Sequence, residues 1–154
     1  MTVGHEWHLT IVPPPGVPFL NSNDGLHRMV QAKRVAVWRG LAFIAATRAK
    51  LPTGLDRVRI TAVFHFRDNR NRDSGNYYPT AKALVDGLGT RSRYGTRKGG
   101  VVVRPAYGLI PDDNTKHLDG PHCEIGNAMP VEGRAGWVDL HIVALLAEGS
   151  SSAA

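Results

Sequence analysis

Residues 56–66 read DRVRITAVFHF, and residues 67–88 continue RDNRNRDSGNYYPTAKALVDGL. In the first piece Val58, Ile60, Ala62, Phe64 and Phe66 recur at every second position. Side chains alternate across a strand, so this spacing predicts a strand with one face in a core. In the second piece the period-two pattern stops and a helical one begins at Pro79. Proline suits a first helical turn, because the N–H it lacks would have no intrahelical partner there. The helix is expected over about 79–88, closed by Gly89. A strand delivering a polar, arginine-rich loop into a short helix is the core of the reading.

Working outward, EWHLTIV (6–12) alternates as a half-buried strand and stops at the triple proline 13–15. Asn23 or Asp24 is placed to cap the next element. The helical repeat over about 28–50 groups Val30, Val37, Leu41 and Ile44 on one face, with Arg28, Gln31, Arg39 and Lys50 roughly opposite. Gly40 weakens that helix by about 1 kcal/mol relative to alanine, which suggests close packing there. Pro52 and Gly54 end it. Downstream, GTRSRYGTRKGG is basic and glycine-rich. VVVRPAYGLI reads as a strand running into the turn PDDN. GWVDLHIVALLA (136–147) reads as a last strand, with Val138, Leu140, Ile142 and Ala144 on one face. The order implies one α+β domain over 1–147, a mixed or antiparallel sheet against one long and one short helix, with a flexible tail at 148–154.

The chain has 154 residues, enough for one sizeable core. It holds no apolar run of the ~18 residues a membrane helix needs. The first residues do not resemble a signal peptide, and the single cysteine, Cys123, has no intrachain partner; a cytoplasmic protein is the expectation. Nineteen lysines and arginines against thirteen carboxylates give a net charge of +6. That excess favours a polyanionic partner, nucleic acid first, over a basic domain that binds nothing in particular.

Several carboxylates fall where elements end: Asp68 and Asp73 after the strong strand, and Asp112 and Asp113 in PDDN, with Asp86 on the short helix. Gathered by a fold, such groups are oxygen donors for Mg2+. On spacing alone the plainer alternative is a turn at PDDN and ion pairs between Asp68 or Asp73 and nearby arginines. Lys82, four residues before Asp86, is either an ordinary helical ion pair or an ammonium at a scissile phosphate. Arg91, Arg93, Arg97 and Lys98 around Tyr94, with Arg67, Arg70 and Arg72, form a candidate positive rim for a phosphate backbone; Tyr94 could stack on a base. KHLDGPHCEIG invites a zinc reading but lacks paired-ligand spacing. No GxGxxG or GxxxxGK[ST] loop is present, so no nucleotide cofactor is expected.

Taken in order, these motifs resemble the RusA-type Holliday junction resolvases. The resemblance runs through WHLTIVPPPG, the long helix, the strand into an arginine-rich acidic loop, DSGN, the helix ending in DGL, and GLIPDD before the closing strand. YPTAK before DGL and GLIPDD after it resemble versions from actinobacteria and their phages. The resemblance implies an Mg2+- or Mn2+-dependent endonuclease acting as a homodimer on four-way DNA junctions, in the host cytoplasm if phage-encoded. It implies Asp73, Lys82 and Asp113 as catalytic residues, with Asp73, Asp113 and Asp112 at the metal and Asn76, Asp86 and Asp68 in support. Gly75 stands where the family has its middle aspartate. That departure implies, as the alternative, a catalytically impaired protein that binds junctions without cutting them.

Overall fold

The computed structural model describes residues 2–89 and 92–147; the expected tail at 148–154 lies outside them. The elements run β1 (Thr2–Ile11), α1 (Arg28–Ala49), β2 (Val58–Phe66), a 3-10 turn (Ser74–Tyr77), α2 (Tyr78–Leu88), β3 (Ser92–Gly95), β4 (Val101–Arg104), β5 (Leu118–Ile125) and β6 (Gly136–Leu146). One sheet has the order β1-β6-β2-β5, with β6 antiparallel to both neighbours and β5 parallel to β2; β3 and β4 form a separate hairpin. The protein is thus an α+β fold with a mixed sheet and one long and one short helix, as the sequence pattern implies.

Val58, Ile60, Ala62 and Phe64 on β2 and Val138, Leu140 and Ile142 on β6 are fully buried. Each large side chain so buried contributes roughly 1.5–3 kcal/mol. The alternate positions, Thr61, Val63 and His65 on β2 and Trp137, Asp139 and His141 on β6, are only partly covered. Beneath the inner face Phe19 packs against Trp38, Phe64, Phe66 and Tyr77, with ring centroids 5.2–6.0 Å apart. No helix among the described residues is long and apolar enough to cross a membrane.

Three local expectations are corrected. The face of α1 that meets the core is Trp38, Ala42 and Ala46; Val30, Val37 and Ile44 are exposed and Leu41 is only partly buried. Large aliphatic side chains suggest a core face, but α1 lies close against α2, and close approach favours alanine. Nothing packs against Gly40, either: a Cβ there meets no atom within 4 Å. The cap of α1 is His27, whose Nδ1 accepts from the Met29 N–H at 3.2 Å, while Asp24 instead accepts from Asn21 N. The structure also has a strand, β5, within KHLDGPHCEIG; as an edge strand containing Gly120 and Pro121 it buries just Leu118 and Pro121 and shows no alternation.

Candidate functional site

Helix α2 and the turn before it are held by the loop at Leu20–Ser22 and by α1. The Thr80 hydroxyl, fully buried, accepts from Leu20 N and donates to Leu20 O, both at 2.8 Å. Ser22 N donates to the Asn76 carbonyl at 2.9 Å, tying the same loop to the 3-10 turn. Gly87 lies on the backbone of α1, so close that a Cβ would run into the Arg39 carbonyl oxygen. Seven of the eleven residues of α2 are buried, which leaves Lys82 and Asp86 to face outward along one edge.

The chain returns to that edge for a definite reason. After the β3–β4 hairpin, Tyr107 N donates to Gly87 O and Leu109 N to Leu88 O, both at 2.9 Å. Carbonyls at a helix C-terminus lack intrahelical partners, and the returning chain supplies them. This docking brings the PDDN turn beside α2. The Lys82 ammonium then donates to Asp86 Oδ1 at 2.6 Å and to Asp113 Oδ2, from a residue thirty-one positions away. Burial alone pulls the Lys82 pKa down, but the bonds to Asp113 and Asp86 outweigh it and the net shift is upward. Lys82 holds the Asp113 carboxyl below its usual range, against an opposing contribution from partial burial.

The other acidic residues have local partners. Asp112 Oδ1 accepts from Asp113 N and its Oδ2 from Asn114 Nδ2, both at 2.8 Å, so both oxygens brace their own turn. Asp73 caps the 3-10 turn, its Oδ1 accepting from Gly75 N at 3.0 Å. Asn76 Oδ1 accepts from the Ser22 hydroxyl at 3.4 Å. Asp68 pairs with Arg72 at 2.9 Å and Arg70 at 3.5 Å. Its pKa is lowered first by the Arg70 backbone N–H and then by Arg72. Asp73, Asp86, Asp112 and Asp113 do not offer three oxygens within 4.8 Å of one another.

The cations divide into two groups. The Arg72 side chain, only 18% exposed, lies over the Phe66 ring at 4.0 Å and is committed to Asp68, whereas that of Arg70 is 82% exposed. Arg67, Arg97 and Lys98 are exposed, the last two at the tip of the β3–β4 hairpin. Arg91 lies outside the described residues, and Arg93 and Tyr94 are placed on β3 by their backbone only. In KHLDGPHCEIG, His117 Nδ1 bonds to Asp56 O, His122 pairs with Asp119 at 2.8 Å, and burial pushes the Cys123 thiol up.

Sequence reasoning missed one cluster. Glu6, His8 and His141 place one ligand atom each within 4.8 Å of one another on the outer face of β1 and β6. The signal available was Glu6-x-His8 at strand spacing; that β1 lies beside β6 was not legible. No protein-family model matches the chain, and no curated protein matches it.

Proposed function

We propose that the protein is a metal-dependent endonuclease acting on branched DNA, with Lys82 and Asp113 at its reaction centre. One observation supports this above the rest. The ammonium is gripped by a carboxylate of its own helix and by one from a distant turn, in a chain of net charge +6. A purely structural ion pair at (i, i+4) needs no third partner. The motif order that resembles the RusA-type resolvases adds to it.

The donor set suits Mg2+ in its usual mode of binding. That ion takes one or two carboxylates and fills the remaining positions with water and substrate phosphate, so three converging side chains are not required. Asp113, beside Lys82, would hold it, joined by Asp73 as the resemblance implies, and it would supply charge neutralisation and a water acidified enough to attack a phosphodiester. Lys82 contacts a phosphate oxygen and opposes the charge that builds on it. Arg67, Arg70, Arg97 and Lys98 guide the DNA backbone without reading sequence. Two copies suit a four-way junction, and the apolar Met29, Val30, Val37 and Ile44 exposed along α1 offer the second copy a face. The setting is cytoplasmic.

Incubating a labelled four-way junction with the protein and Mg2+ or Mn2+ tests this reading. Symmetric nicks that vanish in Asp113→Asn are expected; absence of nicks with either ion rejects it.

A second reading, junction binding without cutting, is favoured by Gly75. A Cβ there would sit 3.4 Å from Asp73 Oδ1, an ordinary contact, so an aspartate fits beside Asp73 and its absence removes charge from the site. Gained cleavage in Gly75→Asp is expected on this reading; robust cleavage by the natural chain contradicts it.

A further inference from the structure

We infer that Glu6, His8 and His141 form a second, separate metal site that takes a borderline divalent ion, zinc in the first instance, on the outer face of the sheet. The inference stands independently of the nuclease reading.

The strand register creates the cluster. His8 lies directly opposite His141 in the antiparallel β1–β6 pair, and their rings stack with centroids 4.4 Å apart and planes 6° from parallel. Glu6, two residues before His8, shares its face, and its Oε2 accepts from His141 Nε2 at 2.9 Å. Four-coordinate zinc with bonds of about 2.0–2.2 Å needs its ligand atoms roughly 3.3 Å apart. All three atoms here lie within 4.8 Å, so each pair closes by at most about 1.5 Å as the stacked rings tilt apart and turn their nitrogens towards a common point. Glu6 and His8 are exposed and His141 partly so, which leaves them free to turn and open to an ion from solution.

Ligand chemistry selects the ion. Two imidazole nitrogens with one carboxylate suit zinc and its neighbours, whereas Mg2+ prefers an all-oxygen octahedron. Three protein ligands leave the fourth position to water. A neighbouring group supports the site. Asp139 lies one position along the same face of β6, opposite Thr10, and its Oδ1 is buried without a hydrogen-bond partner. A buried oxygen in that state calls for a cation or a bound water. The other histidine–carboxylate pair on the sheet differs, because Asp119 is already held by Arg59 at 2.8 Å as well as by His122. Zinc at Glu6, His8 and His141 would tie the edge strand β1 to β6, so binding would favour the folded state.

The test is calorimetric titration of zinc into full-length protein, prepared without a histidine tag and stripped by chelator. One ion per chain is expected. His8→Ala and His141→Ala should each weaken binding more than about tenfold, while His122→Ala leaves it unchanged. Cobalt(II) should give the visible bands of a four-coordinate ion, bleached by zinc, and zinc should raise the Tm of the natural chain but not of His8→Ala. If His141→Ala does not fold, His8→Gln on the exposed edge strand replaces it. No zinc uptake, or uptake indifferent to the His8 variants, overturns the proposal.

Discussion

Helices α1 and α2 each contain a glycine, and the two glycines stand in opposite surroundings. Gly87 of α2 is pressed against the Arg39 backbone, where no Cβ fits, whereas a Cβ at Gly40 of α1 would meet nothing within 4 Å. The helices differ in the same way along their length. Eleven residues of α2 bury seven; twenty-two residues of α1 bury three and leave Met29, Val30, Val37 and Ile44 exposed. The short helix is fixed by packing on nearly every side, and it is the one that presents Lys82. Rigid support places a charged group to within the tolerance that chemistry needs, and a half-exposed helix does not.

The difference can be broken most severely at Gly87. Gly87→Ala forces the α1 backbone away, and a loss of about 3 kcal/mol or more is expected in urea unfolding. Thr80→Val ranks next. It removes both bonds to Leu20 and strands a buried N–H and C=O, for about 2–3 kcal/mol by the same measurement. A smaller effect is expected from Lys82→Met, about 1 kcal/mol, because the three side chains are each roughly a third exposed and water screens them. Its signature is a pH dependence. With its folded pKa depressed by Lys82, Asp113 contributes stability that is complete above the ordinary carboxylate range and is lost as pH falls through the folded value. The gap between the natural chain and Lys82→Met should therefore close on acidification; a gap that persists below the carboxylate range contradicts the pairing. Gly40→Ala is the smallest and opposite in sign, a gain of up to about 1 kcal/mol from helix propensity. A loss instead would contradict the open surroundings of Gly40.

What was legible in the chain follows from how local each feature is. The period-two run of β2 and the proline and glycine bounding α2 are local patterns, and the structure has both elements within a residue of their expected bounds. The core face of α1 was not legible, because small residues at a close helix contact look weaker in sequence than the exposed aliphatic stripe. Lys82 and Asp86 were legible as a pair by spacing. Their meeting with Asp113 depends on hydrogen bonds from Tyr107 and Leu109 to the end of α2, which no spacing rule contains. The His8–His141 pairing was hidden for the same reason: it depends on strand order, not on sequence distance.

The most direct measurement of the central claim is anomalous diffraction from crystals soaked in Mn2+. A manganese peak bonded to a carboxylate oxygen of Asp113, beside Lys82, is the expected result. Manganese that avoids Asp113 and occupies other carboxylates would contradict it.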